Sequence, residues 1–301
     1  MKIATTTDNF LYYCDNDIDR IRELHRGGFR YIDLSMYFFT PDSPYMSDDW
    51  KTPVRALKEE VDRLGMKFVQ AHSQGGNYLN YPPEKAEFLV AATLRSIEIC
   101  RELGIPNTVV HPGCADGLTK EQWFEKNRAF YQRLFPMMEK TGVNVLIENN
   151  TVANTKDKYW ANSGKDMAEF LSYVDHPLLH ACWDTGHGNC EESSQYENIM
   201  ALGKELYAIH YNDNHGSKDE HLVPYLGTLN HDEVMHALID VGFGGYFTLE
   251  CSSSLLQPRR RKVFEKDTRL VTPQLFMQRH AERLMYDTAK YILDSYGLFE
   301  E

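Results

Sequence analysis

The alternation of short apolar segments with longer amphipathic ones constrains the fold of this chain most strongly. Apolar runs bounded by Gly, Pro or Asn predict eight β-strands, at residues 2–6, 29–34, 66–71, 107–111, 143–148, 178–183, 206–211 and 245–250. Because most of these runs are nearly continuous, they are typical of parallel strands covered on both faces. Successive strands begin 27 to 41 residues apart, which is the spacing of a strand–helix unit.

Amphipathic segments fill the intervals between the strands. The first carries Ile18, Ile21 and Leu24 and is followed by a Gly-Gly pair that marks a helix end. Further helices are predicted at about 52–64, 83–103, 120–141, 165–174, 196–204, 231–241 and 278–296. Eight strand–helix units in this order predict an α/β protein, a single (β/α)8 TIM barrel over residues 1–301. A doubly wound open sheet is the alternative, but the first strand lacks the GxGxxG turn of a dinucleotide-binding fold.

Composition argues against several classes of protein. The 32 Lys and Arg residues against 44 Asp and Glu give a net charge of −12, which disfavours a general binder of polyanions. The basic cluster Arg259-Arg260-Arg261-Lys262 is expected to be a solvated loop. It lies in a long connection, about 251–277, that is expected to pass over the mouth of the barrel.

The same composition bears on the cellular compartment. The six cysteines are scattered without a CxxC pair, and no apolar run approaches the ~18 residues that span a bilayer. The start of the chain also lacks the apolar stretch of a signal peptide. We therefore expect reduced thiols, a cytoplasmic protein and no membrane partner.

Polar residues end most of the predicted strands. They are His72, His111, Glu148, Asp184, His210 and Glu250. In a TIM barrel these ends meet at one face, and all six residues are of types that bind metals. Four of them, Glu148, Asp184, His210 and Glu250, come from neighbouring strands and can converge on one divalent cation. A carboxylate-rich set with one imidazole suits Mn, Mg, Co or Zn.

Three further residues extend this set. His187 follows Asp184 by three positions, and Asp219 and His221 lie two positions apart, on the same side of an extended segment. These three, with His72 and His111, are predicted to bind the substrate or additional metal, or to orient the ligands.

With these residues in place, the sequence resembles the xylose isomerase-like TIM-barrel superfamily over nearly the whole chain. The motifs that carry the resemblance are VVHPG (109–113), LIENN (146–150), CWDTGHGN (182–189), IHYND (209–213), DEH (219–221) and TLE (248–250). One branch comprises sugar and sugar-phosphate isomerases and epimerases. Resemblance to it implies one divalent ion on Glu148, Asp184, His210 and Glu250, with the two glutamates as the acid/base pair and His187 on the substrate. The substrate-binding Arg of that branch has no counterpart here.

A second branch is endonuclease IV, which cuts abasic DNA with three zinc ions. Its nine ligands would fall on His72, His111, Glu148, Asp184, His187, His210, Asp219, His221 and Glu250. The opening KIATTTDNF lacks the G-x-H-x-S of that family, and the loop after His72 is unlike its DNA-binding segments.

From these observations we expect a metal-dependent isomerase or epimerase that acts on a sugar or sugar phosphate through an enediolate. Its partner would be a small-molecule sugar and not a nucleic acid. An abasic-site endonuclease and an inactive sugar-binding barrel are the alternatives, and a homo-oligomer is compatible with the sequence.

Overall fold

The computed structural model describes residues 1–156, 159–191, 193–252, 255 and 274–301. The basic cluster at 259–262 and most of the predicted connection at 251–277 lie outside the described residues. All six cysteines are free of disulfide bonds. No helix in the described part of the chain is both long enough and apolar enough to cross a membrane.

Eight parallel strands form one sheet in the described part of the chain. They are β1 (Ile3–Thr6), β2 (Tyr31–Ser35), β3 (Lys67–His72), β4 (Asn107–Val109), β5 (Asn144–Glu148), β6 (Leu179–Asp184), β7 (Leu206–His210) and β8 (Phe247–Leu249). Their order is β7-β6-β5-β4-β3-β2-β1-β8. A parallel bridge between Tyr211 and Leu249 joins the two ends of the sheet, and the amide of Tyr211 donates to the carbonyl of Thr248 at 2.7 Å. The predicted (β/α)8 barrel is therefore confirmed.

Helices surround this sheet. They are α1 (Asp17–Gly27), α2 (Lys51–Arg63), α3 (Pro83–Leu103), α4 (Lys120–Gln132), α5 (Phe135–Thr141), α6 (Val152–Thr155), α7 (Gly164–Val174), α8 (Thr185–Asn189), α9 (Gln195–Leu202), α10 (His231–Asp240) and α11 (Leu275–Ser295). A short 3-10 turn, Thr7–Phe10, follows β1. Local sequence fixes many of the ends: the side chain of Asn16 caps α1 by accepting from the amide of Asp19.

The prediction of one helix over 120–141 was wrong. The structure has two helices there, because Pro136 lies in the first turn of α5. A proline ring clashes with the carbonyl four residues earlier, and Gln132 is the last residue of α4. Strands β4 and β8 are also shorter than predicted, so His111 and Glu250 lie just beyond strands instead of within them.

Strand alternation decides which side chains face the barrel interior. Glu148 and Asp184 lie two residues beyond Leu146 and Cys182, and His210 lies two residues beyond Ala208. Side chains two residues apart share a face of a strand. Glu148, Asp184 and His210 therefore lie on the same side of the sheet as a small apolar cluster, which consists of Leu146, Cys182, Ala208 and Val109. The much larger apolar cluster packs the helices against the sheet.

One helix contact requires a glycine. Gly164 begins α7, and a Cβ built on it would lie 1.9 Å from the backbone carbonyl oxygen of Asn198 in α9. We expect Gly164→Ala to lower the free energy of unfolding by about 1–3 kcal/mol, because the two helices must separate. Urea unfolding measures this change. Gly244→Ala is the matched control, since its Cβ would meet nothing within 4 Å; equal effects in the two variants would contradict the packing argument.

Candidate active site

A cavity of about 560 Å³ opens at the carboxyl ends of the strands. Its lining residues are Asp8, Tyr37, Phe38, His72, His111, Glu148, Asn150, Asn154, His187, Asp219, His221, Glu250 and Ser252. Catalytic sites of TIM barrels lie at this face, where the loops after the strands converge. Most of the predicted site residues therefore line a single cavity, and Asp184 and His210 lie in contact with those that do.

The four predicted ligands of one cation come together. Glu148, Asp184, His210 and Glu250 each present one donor atom, and these four atoms all lie within 4.8 Å of one another. The Nδ1 atom of His210 lies 2.6 Å from Oε1 of Glu148 and 3.3 Å from Oε2 of Glu250. All but Glu250 are fully buried.

Two asparagines hold Asp184 in place. The side chain of Asn212 donates to Oδ2 of Asp184 at 2.7 Å. Asn149 pairs with the backbone of Asp184, accepting from its amide at 2.6 Å and donating to its carbonyl at 2.9 Å. Neither residue was predicted from the sequence, although Asn149 directly follows Glu148 in LIENN and Asn212 lies two positions after His210 in IHYND.

His72 and His111 lie on one side of Glu148. Nε2 of His111 is 2.5 Å from Oε2 of Glu148, and Nε2 of His72 is 3.7 Å from the same oxygen. Glu148 therefore faces two groups of donors at once, His210 through one oxygen and the two histidines through the other.

His187, Asp219 and His221 form a third group of donors. Nε2 of His187 lies 3.2 Å from Oδ2 of Asp219, and Nε2 of His221 lies 3.1 Å from Oδ1. The side chain of Asn154 also donates to Oδ2 of Asp219 at 2.9 Å. Among the described residues, every predicted site residue thus belongs to one of three adjoining groups.

The second ring nitrogen of His210 contacts two residues that were not predicted from the sequence. Nε2 of His210 lies 2.8 Å from Nε2 of Gln70 and 3.3 Å from Oδ2 of Asp33. Both residues are buried, on β3 and β2, across the barrel from β7. A carboxylate on the second nitrogen fixes the ring of a metal-binding histidine. The available signal was a polar residue inside an apolar strand, in YIDLS and FVQAH.

Burial and neighbouring charges separate the two glutamates. Burial raises the pKa of Glu250 to about 7, and the nearby Glu148 carboxylate adds to this effect, against the opposing influence of His210 and His221. Burial acts in the same direction on Glu148, but His210 and His111 outweigh it and hold its pKa well below the usual range. Without a cation, Glu148 is therefore the more acidic of the pair.

Most of the cavity histidines are made more basic by carboxylates. Burial lowers the pKa of His187, yet Asp184 and Asp219 outweigh burial and raise it to about 10. In the same way, neighbouring acidic groups leave the pKa of His210 and of His221 well above the usual value despite burial. Burial dominates at His111 and lowers its pKa.

The donor set fits a divalent cation. Three carboxylates share one imidazole in the four-residue group, so their formal charges leave an excess of negative charge that burial makes costly. His72 and His221 donate from Nδ1 to the backbone carbonyls of Ser73 and Glu250 at 3.0 and 2.9 Å. This leaves Nε2 of each ring facing a carboxylate in the cavity as a ligand atom.

Comparison with known proteins identifies the family. A sequence model described as a xylose isomerase-like TIM barrel matches residues 21–272. The chain therefore belongs to the xylose isomerase-like TIM-barrel family, as its strand-end motifs predicted.

Individual relatives include sugar epimerases. An L-ribulose 3-epimerase of Methylomonas sp. (strain DH-1) is 30% identical over 248 residues, covering 78% of this chain and 78% of the relative. A mannonate dehydratase of Enterococcus faecalis is 24% identical over 259 residues, which are 81% of this chain and 67% of that protein.

Solved structures share the fold. D-psicose 3-epimerase with D-tagatose, from Clostridium cellulolyticum H10, superposes with a TM-score of 0.74 at 18% identity, over 97% of this chain and 99% of that one. The IolI protein with a zinc atom superposes with a TM-score of 0.74 at 17% identity, over 100% of both chains. At these identities the likeness shows the fold alone.

The pKa shifts predict that cation binding releases protons. Ligands must be deprotonated to bind, and in the metal-free protein Glu250 titrates near pH 7 while His210 and His221 hold protons above their usual range. We expect Mn²⁺ to displace at least about one proton per ion at pH 7, and its affinity to fall as pH falls from 8 to 6. Titration calorimetry in buffers of different ionisation enthalpy counts the protons. An affinity that does not change over this range, with no proton release, would contradict the shifts.

Proposed function

We propose that this chain is a divalent-metal-dependent epimerase or isomerase of a sugar, acting as a single domain over residues 1–301. The convergence of Glu148, Asp184, His210 and Glu250 on one small volume carries the proposal. These four residues would hold the cation. The family relatives support the same class of reaction, since they include ribulose and ketose 3-epimerases.

Proton transfer falls to the two glutamates. Epimerisation through an enediolate needs one group that removes a carbon-bound proton and another that returns it. A divalent cation would supply Lewis acidity that stabilises the charge developing on the carbonyl oxygen. Glu148 ends β5 and Glu250 directly follows β8, and their carboxylate oxygens lie 2.6 and 3.3 Å from Nδ1 of His210. Their pKa values are pushed apart, which is typical of an acid/base pair, and their roles exchange with the direction of reaction.

The carboxylate pair gives a direct test of this proposal. We expect Glu148→Gln and Glu250→Gln each to lower kcat by about 10²–10⁴-fold, because the amide can neither remove nor return a proton. The measurement is C3 epimerisation and aldose–ketose exchange over a panel of ketoses, with the metal-loaded protein.

Glu139→Gln is the matched control for that test, since its side chain is 65% exposed outside the cavity. Circular dichroism checks that each variant is folded. Asp184→Asn and His210→Ala should lower the metal content of the purified protein. If either glutamine variant keeps more than about a tenth of the activity, its assignment to acid/base chemistry is wrong.

One observation favours a second candidate, an endonuclease IV-like zinc enzyme acting on abasic DNA. Residues that match all nine metal ligands of that enzyme are present. They fall into three groups, and within each group one donor atom per residue lies within 4.8 Å of the others. The described lining of the cavity includes no Lys or Arg, however, although nucleic-acid binding depends on basic contacts to phosphate. We therefore place this function second.

Metal content separates the two candidates. We expect about one Mn-type ion per chain on the epimerase proposal and about three zinc ions on the endonuclease proposal, because the latter must fill all three donor groups. Elemental analysis of the purified protein, followed by an assay on DNA with one abasic site, makes the measurement. Incision of that DNA would overturn the epimerase proposal, and absence of any bound metal would contradict both enzymes in favour of a sugar-binding barrel.

A further inference from the structure

The loop between β7 and α10, residues 211–230, carries two members of the third group of donors. Asp219 and His221 lie in this loop, whereas His187 lies on α8. A loop lacks the regular hydrogen bonds of a helix or strand, so its side chains hold a fixed position only if other contacts hold its backbone. The contacts that fix this loop therefore keep Asp219 and His221 in the cavity.

The side chain of Asp213, which is fully buried, binds the backbone of this loop through both of its oxygens. Oδ1 accepts from the amides of Asn214 and Leu229 at 2.8 and 2.9 Å. Oδ2 accepts from the amides of Tyr225 and Gly227 at 3.0 Å each. One carboxylate thus joins the start of the loop to its end by four hydrogen bonds.

The backbone of Asp213 holds the middle of the loop. It forms an antiparallel bridge with Leu222, with hydrogen bonds of 3.0 and 2.8 Å between their amides and carbonyls. Leu222 directly follows His221, whose Nδ1 atom donates to the carbonyl oxygen of Glu250 at 2.9 Å. Asp213 is therefore bonded to the residue next to a candidate ligand as well as to both ends of the loop.

Two residues of this loop have a backbone conformation that side chains rarely adopt. His221 has a φ of 50° and Tyr225 a φ of 74°, and they are two of the four non-glycine residues with positive φ in the described part of the chain. The left-handed region costs free energy for a residue with a Cβ atom, so such residues persist only where the surroundings hold them. Asp213 binds the amide of Tyr225 directly, and its bridge to Leu222 adjoins His221.

The four amides require an ionised carboxylate at this position. Burial raises the pKa of Asp213, but hydrogen bonds from His231 and from the loop amides outweigh burial and hold that pKa below its usual value. An ionised carboxylate only accepts hydrogen bonds, at about four lone-pair sites. Because each oxygen accepts from two amides, the NH2 group of an asparagine would face two N–H donors in either orientation of its amide.

We propose that Asp213 is a positioning residue for the third group of donors: it fixes the loop of residues 211–230 and thereby holds Asp219 and His221 in the cavity. This inference goes beyond the proposed function, because it concerns how these two side chains reach the cavity and not the reaction that they serve.

Amide hydrogen exchange tests the effect of Asp213 on the loop. We expect Asp213→Asn to raise the exchange rate at residues 214–229 at least about tenfold, because the loop opens more easily when its amides lose their acceptor. Exchange in β5 and α7 should stay within about twofold of wild type, since these elements do not depend on the loop. Asp62→Asn, which removes one exposed carboxylate from α2, is the matched control and should change neither region.

Nuclear magnetic resonance tests whether the loop positions His221. The probe is histidine-labelled protein loaded with Mg²⁺, which is diamagnetic and prefers oxygen ligands, so it leaves the imidazoles free. The ring signals of His221 are those that disappear in His221→Ala. In Asp213→Asn they should move toward the signals of His280, which is exposed. The signals of His180, whose Nδ1 atom is held 2.7 Å from Glu205 outside the cavity, should not move.

Gly227→Ala disturbs the same hydrogen bonds without removing the carboxylate, and it serves if Asp213→Asn does not fold. A Cβ on Gly227 would lie 2.2 Å from the carbonyl oxygen of Asn214 and 2.4 Å from Oδ1 of Asp213. It should raise loop exchange and move the His221 signals, whereas Gly244→Ala, whose Cβ would meet nothing within 4 Å, should do neither. If loop exchange stays at the wild-type rate in both variants, or the His221 signals keep their positions, Asp213 does not position this group and the proposal is wrong.

Discussion

The rest of the site depends on the crowding of acidic side chains at one end of an apolar barrel. Glu148, Asp184 and Glu250 present oxygens within 4.8 Å of one another around the single ring of His210. Such charges are tolerated in a buried place only when partners neutralise them. The asparagines on Asp184, the histidines on Glu148 and the raised pKa of Glu250 are all responses to this one constraint.

Backbone geometry makes this crowding achievable. Because side chains alternate between the two faces of a strand, Glu148, Asp184 and His210 lie on the same face as the small apolar cluster that includes Ala208. A glycine then lets a supporting side chain approach: a Cβ on Gly186 would lie 1.9 Å from Oδ1 of Asn212. Because that space is open, Asn212 reaches Asp184, and the carboxylate is held in one orientation.

The sequence predicted what is local and missed what crosses the barrel. Continuous apolar runs located the strands, and the polar residue at or beside the end of each run selected candidate ligands such as Glu148 and His210, because strand ends of a barrel share one face. Asp33 and Gln70 were not predicted as site residues, because they are far along the chain from the residue that they contact: Gln70 is 140 residues from His210. Such a pairing depends on the closed barrel and has no local signal. The break between α4 and α5 did have a local signal, Pro136, but the long amphipathic pattern around it favoured a single helix.

Glu148 is the residue at which the two candidate functions diverge. Its Oε1 atom faces His210 and its Oε2 atom faces His111, so the carboxylate lies between two groups of donors. With cations in both groups it would be a bridging ligand and a poor base, because both oxygens would be bound. With one cation, His111, whose pKa is lowered, would be neutral and could donate a hydrogen bond that orients the free oxygen. On the proposed function, the number of bound ions would thus determine whether this carboxylate can take up a proton from the substrate.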